Sequence, residues 1–314
     1  MNKLPDFFIV GTVKAGTTSL YNYLVQHPDI YMSPVKEPHY FCTDIKPELF
    51  RDQYKKMIDV DVQSVLNDAT GRKFISSAFI RNKTDYEKLF SGAKPNQKVG
   101  ESSTSYMIST VAAANIHAVL PHAKIIIVLR DPVKRAYSHY LMNYRSGTVL
   151  GTFNQELKID ISAQPKGWGI SRLYVEHGLY YEQVKRYLDL FGEENVKIIL
   201  NEDLGHHTQE VVKSTFEFLG LNNDSDSNYH IWHNTAVMPS SVFSGFILKQ
   251  RRLIQMASWI VPKVMRNLIY RKFLISKGIP QIDSESKQLL VGYYQSDILQ
   301  LQQLIKRDLS HWMN

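Results

Sequence analysis

The apolar run Phe7-Phe8-Ile9-Val10 ends on Gly11, and Thr12-Val13-Lys14-Ala15-Gly16-Thr17-Thr18-Ser19 leads from there into apolar residues at Leu20, Tyr21, Leu24 and Val25. A short unbroken apolar run is what a strand buried on both faces of a parallel sheet needs, and the later spacing is helical until Pro28 interrupts it. Strand, glycine loop and helix in immediate succession leave few folds open. They are the opening unit of an α/β protein whose central parallel sheet is flanked by helices.

The same unit suits a phosphate. Glycines let the backbone approach a ligand closely, successive N–H groups turn into the loop, and the helix N-terminus adds a positive dipole end. The candidate anion-binding residues are Lys14, Ala15, Gly16, Thr17, Thr18 and Ser19, of which Lys14, Thr17, Thr18 and Ser19 bring side-chain donors. In the nucleotide-triphosphate loop a lysine directly follows the second glycine. Here Thr17 takes that place and the lysine sits earlier, at Lys14, which argues against an ordinary kinase or ATPase. An ammonium so placed suits a bridging oxygen on which charge accumulates as its bond to a transferred group breaks. The plain alternative is a tight turn with a solvated lysine.

A second unit follows. Lys124-Ile125-Ile126-Ile127-Val128-Leu129 is the strongest buried-strand pattern in the chain and runs directly into Arg130-Asp131-Pro132. Asp131 caps, and Pro132 opens, a helix through Val133, Tyr137 and Leu141. Arg130 stands at the junction and Ser138 about two turns further on, a pair able to hold a phosphate through a guanidinium fork and a hydroxyl. Two other readings stand beside this one: Arg130 as a surface arginine paired with an acid, and Asp131 as a magnesium ligand in a phosphotransferase using Mg-ATP.

Taken together, Val10-Gly11-Thr12-Val13-Lys14-Ala15-Gly16-Thr17-Thr18-Ser19-Leu20 and Leu129-Arg130-Asp131-Pro132-Val133-Lys134-Arg135-Ala136-Tyr137-Ser138-His139-Tyr140 resemble the 5′-phosphosulfate loop and 3′-phosphate motif of the sulfotransferases that use 3′-phosphoadenosine 5′-phosphosulfate (PAPS). The likeness is to the carbohydrate (heparan-sulfate-type) and bacterial branch. It extends through Lys36-Glu37-Pro38-His39-Tyr40-Phe41, Gly100-Glu101-Ser102-Ser103-Thr104-Ser105-Tyr106, Gly178-Leu179-Tyr180-Tyr181, Asn201-Glu202-Asp203-Leu204, Phe218-Leu219-Gly220 and His233-Asn234-Thr235. It is weakest near 43–79 and 242–281, the segments expected to recognise the acceptor.

The resemblance implies a P-loop-like nucleotide-binding sulfotransferase fold, PAPS as co-substrate, adenosine 3′,5′-bisphosphate as product and no metal. It assigns donor binding to Lys14 through Ser19, Arg130 and Ser138, and a transition-state role to Lys14. Transfer to a hydroxyl needs a base. Glu37 matches the branch's glutamate base, on a non-helical segment bounded by Pro34 and Pro38. His39 is the second candidate, its imidazole suited to proton transfer near neutrality. The structural readings are Glu37 paired with Lys14 or another base and His39 as a satisfied core histidine. Two departures matter. Some heparan-type enzymes carry a catalytic-site lysine where this chain has Ser102, and an acceptor-touching acid where it has Cys42. Glu101 is read as an organiser of the site.

The remaining bounds come from composition. A chain of 314 residues, 44% hydrophobic and without repeats or a linker-like tract, is read as one domain over 1–314. A single cysteine excludes an intrachain disulfide and fits a reducing compartment. The apolar run at Phe7 is too short for a signal-peptide core and no stretch approaches a membrane span, so a cytoplasmic location is expected. The net charge of +7 calls for an anionic partner. A phosphorylated co-substrate suffices, without nucleic acid. The basic, aromatic segment from Lys249 to Lys277 is read as a solvated helical face, with an acceptor lid or a peripheral membrane contact as alternatives. A non-enzymatic basic nucleotide- or membrane-binding protein is the remaining function class. His206-His207 reads as a solvated loop, and no histidine falls at structural-zinc spacing. The acceptor is expected to be a polar small-molecule metabolite, natural product or sugar; the oligomeric state is not legible.

Overall fold

Both expected strands form, at the centre of one sheet. The computed structural model describes residues 3–68, 73–221 and 281–314, with the two-residue strands at 238–239 and 275–276. The sheet contains β1 (Phe7–Gly11), β2 (Ile30–Met32), β3 (Lys98–Ser102), β4 (Lys124–Leu129) and β5 (Val196–Leu200), in the order β2-β3-β1-β4-β5. Every pairing in it is parallel. Phe7 through Val10 and Ile125 through Leu129 are fully buried. Their alternation sorts them: Phe8, Val10, Ile125, Ile127 and Leu129 face one core, while Phe7, Ile9, Ile126 and Val128 face another. A sheet covered on both faces accounts for the unbroken apolar runs.

Helices supply the cover. Along the chain they are α1 (Thr17–Leu24), α2 (Asp52–Ile58), α3 (Val62–Leu66), α4 (Lys83–Lys88), α5 (Ser105–Ile108), α6 (Ala112–Val119), α7 (Pro132–Arg145), α8 (Phe153–Ser162), α9 (Tyr181–Phe191), α10 (Asn201–His206), α11 (Thr208–Phe218) and α12 (Ser284–Ile305). Leu20 and Leu24 of α1 pack with Val212 and Phe216 of α11 on one face. Helices α5, α6, α7, α9 and α12 contribute to the larger core on the other. The short strands β6 (Met238–Pro239) and β7 (Ile275–Ser276) pair antiparallel.

The sequence misplaces one helix end. Val25 is not part of the amphipathic run: α1 stops at Leu24, and Val25 is its cap residue, 49% exposed. His206 and His207 are exposed as expected, but on the end of α10 rather than in a loop. Asp131 does cap α7, its carboxylate accepting from the N–H groups of Val133 (2.9 Å) and Lys134 (3.2 Å). The segments at 233–235 and 242–274 lie outside the described residues. So does most of the basic stretch from Lys249 to Lys277.

Strand order places the functional loops. From β1 the chain builds β2 and β3 on one side and β4 and β5 on the other, so the order reverses between β1 and β4. A crevice opens beyond the carboxyl ends of the strands at such a point. The loop after β1 and the Arg130 junction after β4 both lie there, tied by Thr12 N–H to Val128 O at 2.8 Å.

Sheet packing leaves no room at Gly100 in β3. A Cβ there would stand 2.2 Å from Phe7 Cζ and 2.4 Å from Met32 Sδ. Overpacking a filled core costs about 1–3 kcal/mol. We therefore expect Gly100→Ala to destabilise the protein by that amount, read as a lower midpoint in urea unfolding; an unchanged midpoint would show that the neighbours yield.

Candidate active site

Around the first loop the backbone takes conformations that few residues adopt. Gly16, which precedes α1, has φ 104°, and Lys14 has φ 67°, in the left-handed region that disfavours a side chain. Asn201, opening α10, donates from Nδ2 to Ala15 O at 2.7 Å, and a Cβ on Gly16 would meet that same Nδ2 at 2.9 Å. Only glycine allows this approach. Thr17 is buried at the helix start, Thr18 is exposed and Ser19 is half-buried.

Arg130 joins the two candidate phosphate motifs. Its Nη1 donates to Lys14 O at 3.0 Å, so the guanidinium lies against the first loop. The hydroxyl of Tyr180 in turn donates to Arg130 O at 2.8 Å, and Asp297 of α12 accepts the Tyr180 N–H at 2.7 Å. Ser138 sits half-buried on α7.

Lys14 pairs with no acid among the described residues. Burial, then the charges of Arg145 and Arg130, lower its pKa to about 8. Burial also lowers the pKa of Arg130. A half-buried lysine without an acid partner among the described residues, set beside other cations, describes a place for an anion. Asp131, on which the magnesium reading turns, is engaged in its helix cap and lies 3.2 Å from Lys134 Nζ.

The carboxylate of Glu37 is held from both sides. Lys36 Nζ donates to Oε1 at 2.8 Å and Thr104 Oγ1 donates to Oε2 at 2.9 Å. Its partner is thus Lys36, not Lys14. Burial pushes the carboxyl upward, but the charges of Lys36 and His39 and the hydrogen bonds from Lys36 and Thr104 outweigh it, leaving the pKa below the ordinary value.

His39 is completely buried, with Nδ1 2.5 Å from Ser105 Oγ and Nε2 2.9 Å from Ser77 Oγ. Its ring stacks on Phe79 at 4.4 Å. Burial, opposed by the Glu37 carboxylate, lowers its pKa to about 4. Nε2 lies 3.8 Å from Glu37 Oε2, so structure brings the two base candidates together while occupying both imidazole nitrogens.

Residues 4–246 match the family described as the sulfotransferase domain. The chain belongs to the sulfotransferase family. It is similar to mouse carbohydrate sulfotransferase 15, 27% identical over an alignment of 248 residues that covers 69% of this chain and 44% of that protein. It is also similar to the Drosophila melanogaster bifunctional heparan sulfate N-deacetylase/N-sulfotransferase, 25% identical over 98% of this chain and 26% of that protein. The chain therefore spans less than half the length of these curated relatives. A crystal structure of a sulfotransferase from Alicyclobacillus acidocaldarius superposes with a TM-score of 0.71 at 29% identity, over 99% of this chain and 100% of that one.

Sequence reasoning missed how this sulfotransferase supports its site, although the family-like motifs contained the residues. Asn201 and Tyr180 brace the candidate phosphate motifs; Thr104 and Ser105 hold Glu37 and His39. Arg81 had no motif to mark it. Its guanidinium donates to His39 O (2.8 Å), Tyr40 O (3.3 Å), Cys42 O (3.2 Å) and Ile45 O (2.7 Å), fixing the turn that carries His39. Glu101 fits an organiser: fully buried, it accepts from Tyr86 Oη at 2.5 Å and Ser103 Oγ at 2.8 Å. Burial raises its pKa to about 7 against these hydrogen bonds. At Ser102 the hydroxyl is buried and finds no partner among the described residues. Cys42 is buried, and burial raises its thiol pKa to about 11, which leaves it inert. Among the described residues no cluster of three or more His, Cys, Asp or Glu is placed to hold a metal, and no helix is long and apolar enough to cross a membrane.

Proposed function

We propose that this sulfotransferase moves the sulfuryl group of PAPS onto a hydroxyl of a polar small-molecule metabolite, natural product or sugar, leaving adenosine 3′,5′-bisphosphate. The observation that carries the reading is the joining of Lys14, which has no acid partner among the described residues, to Arg130 through the Arg130–Lys14 backbone bond. That unit fits a nucleotide phosphorylated at both ends: Lys14 to Ser19 and the start of α1 for the 5′ side, Arg130 and Ser138 for the 3′-phosphate. The names of the mouse and fly relatives, a carbohydrate sulfotransferase and a heparan sulfate enzyme, support a sugar acceptor. A cytoplasmic location, one domain throughout and action without a metal belong to the same proposal.

In the transfer the acceptor oxygen forms a bond to sulfur in line with the bond to the phosphate oxygen, which breaks and leaves its electron pair on the phosphate. Glu37 takes the hydroxyl proton. Lys14 stabilises the charge on the departing oxygen, and His39 stays neutral at physiological pH, oriented by Ser105 and Ser77.

The test is labelled PAPS with a panel of sugars and polar metabolites, alongside thermal unfolding with adenosine 3′,5′-bisphosphate or Mg-ATP. Transfer to a panel member and a rise in Tm with the bisphosphate alone are expected, since a ligand that binds the native state stabilises it. Arg130→Ala is expected to weaken bisphosphate binding about tenfold or more, the loss of a charge-assisted contact. No transfer and no rise in Tm would remove the proposal; a rise with Mg-ATP alone would favour phosphoryl transfer.

A further inference from the structure

Lys36 has been assigned no role so far, yet it makes the closest contact to the proposed base. Consecutive side chains of an extended chain point to opposite faces. Here the backbone is pinned so that Lys36 and Glu37 meet instead: Lys36 N–H donates to Ile75 O (2.8 Å), Ala78 N–H to Glu37 O (2.9 Å) and Ile80 N–H to Pro38 O (3.0 Å). Pro38 restricts Glu37 to extended backbone as well. The resulting ion pair is nearly dry, its side chains 7% and 18% exposed. Among the described residues no other acid pairs with Lys36.

A carboxyl taken this far out of water protonates unless a charge holds it ionised. The groups facing Glu37 are few. His39 is neutral at physiological pH, Thr104 is uncharged, and Arg81 is bound to backbone carbonyls beyond His39. Glu101, itself buried, would repel the charge if ionised. At physiological pH, where His39 is neutral, Lys36 alone among the described residues is a cation in contact with Glu37.

We propose that Lys36 is a positioning residue for the base: its buried ammonium keeps the largely desolvated Glu37 carboxylate ionised and, with Thr104, leaves each carboxylate oxygen one lone pair to receive the acceptor's proton. The inference rests on the reading of Glu37 as base. It differs from a purely structural role in what it demands, because a pair present only for packing has no reason to set the pH at which the base works.

Two measurements test it, one without catalysis. In protein carrying 13Cδ-glutamate, the Glu37 resonance, identified by its absence from Glu37→Gln, is titrated between pH 4.5 and 8 in wild type, Lys36→Met and Lys36→Gln. The same proteins are assayed for release of adenosine 3′,5′-bisphosphate from PAPS with the panel acceptor giving fastest transfer. In both variants the Glu37 titration is expected to move to higher pH. The ratio of kcat/KM at pH 5.5 to that at pH 8 should fall about threefold or more below wild type, as removing an opposite charge from a buried carboxylate requires. Lys36→Arg, which keeps the charge, should restore it. Wild-type titration and an unchanged ratio in whichever neutral variant folds would overturn the role of Lys36. Full turnover in Glu37→Gln would instead overturn the base reading, while the resonance would still report the Lys36–Glu37 coupling.

Discussion

Replacing Lys14 with alanine is expected to lower kcat by about two to three orders of magnitude, the loss seen when one preorganised donor to a developing oxyanion is removed. Affinity for adenosine 3′,5′-bisphosphate should change far less, because that product lacks the bond whose breaking loads charge onto the bridging oxygen. The two effects are separable by steady-state kinetics and calorimetry, and a variant that loses product affinity as steeply as turnover would make Lys14 a general anchor. Protonation gives a second readout. With its pKa lowered to about 8 by burial and by Arg145 and Arg130, the ammonium is partly neutral in the free protein near pH 8. An arriving anion raises that pKa, so binding should take up about half a proton around pH 8 and much less near pH 6. Calorimetry in buffers of different ionisation enthalpy measures this uptake, and Lys14→Ala should lack it.

How much of this was legible in the chain divides along a physical line. Strands buried on both faces announce themselves, because every position from Phe7 to Val10 and from Ile125 to Leu129 must be apolar whatever its neighbours. The cap at Asp131 and the glycine at position 16 were legible for the same reason: each answers a local backbone demand. What the sequence hid is contact between distant segments. Asn201 lies 186 residues from the Ala15 carbonyl it holds, and no spacing rule connects them. Arg81 reads as an ordinary surface arginine until the turn from His39 to Ile45 folds its carbonyls around it. The end of α1 was misjudged because an apolar residue at helical spacing, Val25, says nothing about which face is covered.

The same division explains why proximity of the two base candidates needed a structure. Glu37 and His39 are neighbours in sequence, but their environments are set from afar: Thr104 and Ser105 by the turn after β3, Ser77 by the segment before α4. Those contacts favour Glu37. An imidazole with both nitrogens engaged by serine hydroxyls has no nitrogen open to the acceptor's proton, whereas the Glu37 carboxylate keeps free lone pairs.

Glu37→Gln is accordingly expected to reduce kcat by about 10²- to 10⁴-fold, the range for loss of a general base, with bisphosphate affinity near wild type. The amide preserves size and an acceptor oxygen for Thr104 but holds no negative charge, so the change isolates proton transfer from shape. A pH profile alone does not separate the candidates. Glu37 lies below the ordinary carboxylate value and His39 at about 4, so either would give activity that is lost only as pH falls into the acid range. The comparison with His39→Gln does separate them. If Glu37 is the base, the His39 variant keeps a pH-dependent turnover reduced by disorder around Ser105 and Ser77, whereas the Glu37 variant keeps a low rate that no longer rises with pH. The reverse pattern would transfer the proton to His39 and require one of its serine contacts to open when the acceptor binds.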